Sequence, residues 1–362
     1  MGGVIPLGIP PAHNMMEVTL VGPGYGECII LHIGNGSWVI VDSCLSADSR
    51  PAALAYFQDL GLNPSEVVRL IVATHWHDDH IRGMGKLVEV CNNAMFCCAS
   101  ALRKQEFLAM MDATASRPMS QVGSGMQEFY KVRSLLEERF SKPVFAIANR
   151  RIFSQDNCEI WSLSPFDKEV DSFLQGIDHL RPQARETKRR IPTLTPNKVA
   201  VVLLIKIGNT AVLLGADLEG SGWLEILDAP ERPSCKASFF KVPHHGSQNA
   251  HEDRVWNEML HSDPIAALTP WRRGGRSLPT ESDVKRVLSF TRKAYATAPR
   301  DISSHKPARN RNRTVVRTIR EVSRRISRIV QPPGMIRLRK EFGSQTDWNI
   351  ETFESACQLA NY

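Results

Sequence analysis

The sequence lacks the features that mark membrane-spanning and secreted proteins. Its 362 residues contain no apolar run near the roughly 18 residues needed to cross a bilayer. The first 15 residues have neither a basic segment nor an apolar core, so we expect no signal peptide. Pro6 stands where a myristoylation motif requires Ser or Thr. These absences predict a cytoplasmic protein with no membrane partner.

Cysteine pairs are also missing. None of the eight cysteines forms a C-x-x-C motif, and they are scattered along the chain at positions 28, 44, 91, 97, 98, 158, 235 and 357. In a chain of this length, that pattern predicts reduced thiols, mostly in the core. Hydrophobic residues make up 42% and charged residues 23%, as in ordinary globular proteins.

Positive charge is concentrated in one stretch. Residues 300–340 hold 13 Lys/Arg and 2 Asp/Glu, an excess of +11, whereas the whole chain carries +7, so the remainder is −4. Apolar residues recur every three or four positions from 314 to 330, which predicts a helix with one buried face. The other faces would be cationic, and Met335-Ile336-Arg337-Leu338-Arg339 alternates like a last strand. This surface fits a phosphate backbone or an acidic partner protein.

A dense set of metal ligands follows one predicted strand. The run Leu70-Ile71-Val72-Ala73 reads as a buried strand, and Thr74-His75-Trp76-His77-Asp78-Asp79-His80 follows it. His75 and His77 can face one side of an extended backbone, while Asp79 and His80 can address a second ion. Imidazole and carboxylate together favour Zn, Fe or Mn over Mg or Ca. Chemistry at the carboxyl end of a strand is typical of α/β folds.

Further candidate ligands follow strands in the second half of the chain. Ala211-Val212-Leu213-Leu214 ends at Gly215-Ala216-Asp217, and Phe239-Phe240-Lys241-Val242-Pro243 leads to His244-His245-Gly246-Ser247. Either histidine of the pair could bind a metal, and the other could hydrogen-bond a substrate oxyanion or protonate a leaving group. The sequence leaves the choice between them open.

The H-x-H-x-D-H motif from His75 to His80 resembles the signature of the metallo-β-lactamase superfamily. The resemblance implies an α/β fold, an αββα sandwich, with two divalent ions, Zn or Mn, at one edge. It implies that Asp217 bridges the two ions and that Asp42, at the end of a strand, orients ligands through hydrogen bonds. The glycine turn at 21–28 and His244-His245-Gly246-Ser247 resemble the metallo-β-lactamase-like domain of the bacterial competence DNA-uptake channel protein. Asp79, His80, His244 and His245 are therefore candidate catalytic residues as well as ligands.

Two features depart from these families. Many superfamily members carry a histidine ligand between the H-x-H-x-D-H motif and the bridging aspartate, and only His179 lies there. The DNA-uptake relatives place His-Pro after the next strand, where this chain has Leu278-Pro279. The second ion would then be weakly held, helped by His305, or replaced by contacts from arginines, namely Arg272, Arg273 and Arg276.

The domain prediction follows from these elements. Residues 1–15 form a lead-in, 16–340 form one hydrolase domain, and 341–362 form a polar tail. Within the domain we predict a helical insertion at 101–141, either a lid or a packing element, a polar basic loop at 166–194, and the Arg-rich part at 300–340.

Three functions are compatible with the sequence. The first is a nuclease that cuts DNA or RNA with a metal-activated hydroxide. The second is a hydrolase of a small ester, lactone, lactam or nucleotide, with the arginines or the tail serving a protein partner. The third is a weakly active, metal-binding subunit of an assembly. The predicted nucleic-acid contacts are Arg272, Arg273, Arg276, Arg317, Arg320, Arg324, Arg325 and Arg328.

Overall fold

The computed structural model describes residues 8–22, 26–103, 108, 124–178, 196–273, 276–300, 334–344 and 346–362. Two eight-stranded sheets dominate it. The first sheet contains β1 (Met15–Gly22), β2 (Cys28–His32), β3 (Trp38–Val41), β4 (Val68–Ala73), β5 (Met95–Ala99), β6 (Val144–Ala146), β16 (Gly334–Glu341) and β17 (Asn349–Phe353). The second contains β7 (Arg150–Gln155), β8 (Cys158–Ser162), β9 (Leu203–Ile207), β10 (Thr210–Leu214), β11 (Ala237–Lys241), β12 (Leu260–Leu268), β15 (Ala294–Ala296) and β18 (Cys357–Gln358).

Helices lie on the outer faces of the sheets. They are α1 (Ala52–Asp59), α2 (Pro64–Val67), α3 (Asp78–Ile81), α4 (Met84–Val90), α5 (Ser124–Glu138), α6 (Asp167–Asp178), α7 (Gly220–Asp228) and α8 (Glu281–Phe290). A separate hairpin joins β13 (Trp271–Arg273) to β14 (Arg276–Leu278). None of the helices among the described residues is long and apolar enough to cross a membrane.

The strand order explains where a site can form. The first sheet runs β17-β16-β1-β2-β3-β4-β5-β6 and the second β18-β15-β12-β11-β10-β9-β8-β7. Strands β3 to β6 are parallel neighbours, as are β10, β11, β12 and β15. Because the carboxyl ends of parallel strands meet at one edge, the loops that follow them are brought together there.

Both faces of the central strands are apolar, and alternate residues enter different cores. On β10, Val212 and Leu214 point into the core between the sheets, whereas Ala211 and Leu213 pack under α7 and α8. The period of two expected of a strand therefore supplies two apolar layers. The predicted αββα sandwich is confirmed.

The helical insertion is partly described. Residues 104–107 and 109–123 lie outside the described part, and α5 occupies residues 124–138 of the predicted helical region. Gly125 N donates to Asp78 Oδ1 at 2.9 Å, and a Cβ on Gly125 would fall 1.9 Å from Trp76 O. Glu128 accepts hydrogen bonds from the amides of Gly83 and Gly85. Helix α5 is thus docked against the metal-ligand loop, which favours a packing role over a lid.

Two predictions about chain segments need correction, and a third lies outside the described residues. Residues 341–362 are not a separate tail, because β17 and β18 add a strand to each sheet. The polar segment 166–194 begins with helix α6, and its remainder from 179 lies outside the described residues, with His179. Residues 301–333, including the predicted basic helix and His305, also lie outside them.

Candidate metal centre

The predicted ligands meet at one edge of the sandwich. His75 and His77 lie in the loop after β4, and Asp79 and His80 lie in the short helix α3. Asp217 follows β10, and His245 lies in a single helical turn after β11. Because β10 and β11 are parallel neighbours, Asp217 and His245 face the His75–His80 loop across the gap between the sheets.

The backbone adopts uncommon conformations at this edge. Positive φ angles occur at Asp42 (61°), Ala216 (45°), His244 (47°) and His245 (56°). Such angles are uncommon outside glycine and concentrate at functional sites. The turn that carries His244 and His245 is also fixed by Arg286, whose guanidinium donates to Gly246 O at 2.8 Å.

His75, His77 and Asp217 form the first ligand set. His75 Nε2 lies 3.2 Å from His77 Nδ1 and 3.7 Å from Asp217 Oδ2. Thr74 Oγ1 donates to Asp42 and so accepts from His75 Nδ1, which leaves the lone pair of Nε2 facing the site. Burial lowers the pKa of His75 well below the usual histidine value and also lowers that of His77. Both imidazoles are therefore neutral, as metal ligands must be.

The second ligand set consists of Asp79, His80 and His245, with Asp217 in contact. His245 Nε2 lies 3.2 Å from Asp79 Oδ2 and 3.9 Å from Asp217 Oδ2. His80 Nε2 lies 3.3 Å from Asp217 Oδ1. His245 Nδ1 donates to Thr269 O at 2.9 Å, so its Nε2 also presents a lone pair. The Asp217 carboxylate therefore faces both ligand sets, which is the position that the resemblance implies for a bridging ligand.

Asp42 connects the two ligand sets through hydrogen bonds. It accepts hydrogen bonds from Thr74 N at 2.8 Å and Thr74 Oγ1 at 2.7 Å, and from His80 Nδ1 at 2.7 Å. A carboxylate that orients a ligating histidine through its other ring nitrogen is a recurrent feature of metal sites. Its placement agrees with the orienting role expected of Asp42.

The donor set fits divalent metal ions. His80 Nε2 and Asp217 Oδ1 are buried, face each other, and have no hydrogen-bond partner among the described residues. With the proton of His80 on Nδ1, both atoms are acceptors, so a cation between them satisfies both. Burial opposes protonation of His80, but the carboxylates of Asp217, Glu27 and Asp42 outweigh it and raise the pKa of His80 well above its ordinary value. The field at this point is thus strongly negative.

His244 lies apart from both sets. Its Nδ1 donates to Asn249 Oδ1 at 3.1 Å, and Asn197 Nδ2 lies 3.5 Å from its Nε2. It is only partly buried, whereas His245 is 2% exposed. The sequence left open which of the two histidines would bind a metal. The geometry favours His245 as the ligand and places His244 at the mouth of the site.

Sequence reasoning missed three buried residues beside the ligands: Glu27, Lys241 and Thr269. Lys241 interrupts the apolar run of β11 and is fully buried, and a charge inside such a run was the available signal. Glu27 ends the glycine turn that the sequence analysis singled out. Thr269 carried no signal, because its contact with Glu27 depends on how the two sheets pack against each other.

Among the arginines predicted to contact nucleic acid, only Arg272 and Arg276 have described side chains. Arg272 is half-buried and donates to Pro299 O, so it is engaged internally, whereas Arg276 is exposed. Both belong to the β13–β14 hairpin, where the Trp271 ring lies 6.5 Å from that of His245. Arg337 and Arg339, counted in the basic stretch, are buried in ion pairs with Glu351 and Glu17. The side chain of Arg273 and all of Arg317, Arg320, Arg324, Arg325 and Arg328 lie outside the described part.

Comparison with known proteins agrees with this architecture. Residues 21–255, more than half of the chain, match the family described as the metallo-β-lactamase superfamily. The chain therefore belongs to the metallo-β-lactamase superfamily, whose fold is that of metal-dependent hydrolases. No curated protein matches the sequence.

Several solved structures are similar at low identity. The metallo-β-lactamase fold protein YhfI from Bacillus subtilis is 14% identical over 63% of this chain and 70% of its own, with a TM-score of 0.35. The Rm3 metallo-β-lactamase is 13% identical over 69% and 85%, with a TM-score of 0.35. The class B3 di-zinc metallo-β-lactamase LRA-12 from an Alaskan soil metagenome is 14% identical over 58% and 63%, with a TM-score of 0.31.

Proposed function

We propose that this protein is a phosphodiesterase that cuts DNA or RNA with two divalent ions, Zn or Mn, held by the two ligand sets. The observation that carries the proposal is the Asp217 carboxylate facing both sets, with ring nitrogens of His75, His80 and His245 within 3.9 Å of it. Bound divalent ions supply a water that deprotonates near neutral pH and stabilise charge on phosphoryl oxygens. His75 and His77 would hold one ion, and Asp79, His80 and His245 the other.

The protein residues would orient the substrate around this centre. His244 stands at the mouth with its Nδ1 proton directed at Asn249, so its Nε2 can accept a hydrogen bond or, once protonated, donate a proton to a leaving oxygen. Asn197 Nδ2 lies 3.5 Å from this Nε2, so a substrate atom that bonds Nε2 would replace the Asn197 amide as its partner.

Nucleic acid is the favoured substrate class for two reasons. Even when the buried residues Arg337 and Arg339 are left out of the count, residues 300–340 carry a large excess of positive charge. Basic segments bind phosphate backbones. The half-buried Trp271, beside His245, offers an aromatic face on which a base can stack. The resemblance of His244-His245-Gly246-Ser247 to the DNA-uptake domain points the same way.

A hydrolase of a small ester, lactone, lactam or nucleotide is the second candidate. It is favoured by the internal engagement of Arg272, Arg337 and Arg339, which removes three cations from the surface that would follow a backbone. In that case the remaining arginines or the C-terminal part would contact a protein partner.

Cleavage assays test the proposal. Single- and double-stranded DNA and RNA are incubated with purified protein and Mn, Zn or Mg. We expect chain cleavage that is abolished in Asp79→Ala and His80→Ala. The matched controls are Asp253→Ala and His251→Ala, an Asp–His pair 2.7 Å apart outside the two ligand sets that should not affect cleavage. Cleavage that survives Asp79→Ala and His80→Ala would place the nuclease activity elsewhere, and cleavage of small esters alone would favour the second candidate.

A binding experiment separates the roles of the arginines. DNA affinity is measured against salt concentration for wild type, Arg276→Ala and the double variant Arg324→Ala/Arg325→Ala. Each lost phosphate contact should reduce the slope of log K against log salt by about 1. An unchanged slope would favour a protein partner for these residues.

A further inference from the structure

Glu27 is a buried residue that is linked, directly or through one other residue, to each ligand of the second set. Glu27 N donates to Asp79 O at 2.8 Å, which ties its backbone to the ligand loop. Its Oε1 lies 3.6 Å from His80 Nδ1. Gly26 makes this approach possible, because its φ is 102° and a Cβ there would lie 2.9 Å from Cys44 Cβ and 3.1 Å from Asp79 O. Glu27 thus contacts two of the predicted ligands directly.

The same carboxylate reaches His245 through Thr269. Thr269 Oγ1 donates to Glu27 Oε2 at 2.5 Å, and both the carbonyl and the hydroxyl oxygen of Thr269 lie within 3.3 Å of His245 Nδ1. Because the hydroxyl proton is directed at Glu27, its lone pairs remain available to the histidine. This chain fixes the ring of His245 and keeps its proton on Nδ1.

Lys241 connects the carboxylate to the strand end that carries Asp217. Its Nζ lies 2.5 Å from Glu27 Oε1 and donates to Ala216 O at 3.1 Å. Lys241 is fully buried and belongs to the second sheet, whereas Glu27 precedes β2 of the first. The ion pair therefore joins the two sheets directly beneath the ligands.

We infer that Glu27, acting with Lys241 and Thr269, is the positioning residue that holds Asp79, His80, His245 and Asp217 in the geometry of the second metal site. The inference rests on the metal-binding part of the proposed function. Rigid orientation by neighbouring hydrogen bonds is what tunes metal affinity in other sites.

Metal binding is the direct test. Metal content after dialysis, chelator competition and the visible spectrum of the Co²⁺-substituted protein are compared in wild type and Glu27→Gln. We expect the second ion to bind about 10–100-fold more weakly while the first is retained. The double variant Glu27→Gln/Lys241→Met removes the lysine charge left unpaired by the single change. Binding of the second ion should remain weak in the double variant, because the contacts of the Glu27 carboxylate are lost in both variants.

Two further variants test the path through Thr269. Thr269→Val should weaken the second ion in the same direction, and Thr269→Ser, which keeps the hydroxyl, should restore it. The control is Glu17→Gln/Arg339→Met, a buried pair of similar geometry that contacts no predicted ligand and should keep both ions.

The outcomes are distinguishable. Wild-type affinity for both ions in Glu27→Gln and Thr269→Val would overturn the inference, as would its recovery in Glu27→Gln/Lys241→Met. Equal loss of the second ion in the control pair would also overturn it, since the effect would then come from general destabilisation. A wild-type protein that binds fewer than two ions would instead contradict the proposed function.

Discussion

Glu17 and Glu27 are both buried, and each is paired with a cation and accepts a hydrogen bond from a hydroxyl. The partners of the two carboxylates contact different parts of the molecule. Glu17 accepts hydrogen bonds from Thr19 and Tyr56 hydroxyls at 2.9 and 2.6 Å and from Arg339 Nε at 2.7 Å. Glu27 accepts from the Thr269 hydroxyl and pairs with Lys241. Each therefore has a cation and a hydroxyl.

The two carboxylates differ in what their hydrogen-bonding partners contact. The donors to Glu17 come from β1, β16 and α1, and they join helix α1 to two neighbouring strands of the first sheet. The donors to Glu27 continue to His245 and to the carbonyl before Asp217. The same polar chemistry thus stabilises the fold at one place and orients candidate ligands at the other. Changes near Glu17 should affect the free energy of unfolding, and changes near Glu27 should affect metal binding.

The largest effect is expected at the point where the two ligand sets meet. Asp217→Ala removes the carboxylate that faces both sets, so neither ion keeps its full coordination. The rate of hydrolysis should fall by more than about 100-fold, which is the upper end of the loss expected for a positioning residue. Steady-state rates and metal content measure this together. An active variant that retains two ions would show that Asp217 does not bridge them.

Next in size is the loss of the cation from the Glu17 cluster. Arg339→Met leaves a fully buried carboxylate unpaired, which should lower the free energy of unfolding by about 3–5 kcal/mol. Metal content should not change. Urea unfolding checks the first expectation, and the exposed pair Arg50–Asp48 supplies the control, because Arg50→Met should change the free energy of unfolding far less. An effect of Arg339→Met on metal content would remove the distinction between the two clusters.

Acid should weaken the first sheet through His32, which pairs with Glu17 across β1 and β2. Burial lowers the pKa of His32 to about 4. Between pH 6.5 and 4 the unfolded chain binds the proton more readily, so stability is full above pH 6.5 and falls as the pH approaches 4. The loss should reach about 3 kcal/mol. Unfolding of wild type and His32→Gln across this range measures it, and equal pH slopes in the two would contradict this role.

The smallest effect is expected from one hydroxyl. Tyr56→Phe removes one of two hydroxyl donors to Glu17 Oε1 and should cost about 1.5 kcal/mol, with metal binding unchanged. Thermal unfolding of the metal-free and metal-loaded proteins would test both parts. A change confined to the metal-loaded protein would link Glu17 to the site.

The sequence predicted what lies close together along the chain. His75 to His80 occupy one loop, and Asp217 and His245 each follow a strongly apolar strand, so strand ends could be combined into one edge. The Glu27 cluster could not be found this way, because Thr269 is 242 residues away and the contact depends on how the two sheets pack. A buried lysine in β11 was the single local sign.

Charge counting failed for a related reason. Arg337 and Arg339 alternate with apolar residues on β16, a pattern that also fits a half-exposed strand, and only the added strand β17 and the cover of α1 bury them. Residues 349–353 alternate as well, but their polar composition suggested a tail. Burial of charge is a property of neighbours that come from elsewhere in the chain.

The most direct test of the account is the location of metal in the protein. Anomalous X-ray scattering from wild-type crystals grown with Zn or Mn should show two peaks about 3.5–4 Å apart on either side of the Asp217 carboxylate. One peak should contact His75 and His77, and the other Asp79, His80 and His245. Peaks elsewhere, or none at these side chains, would contradict the two-metal centre.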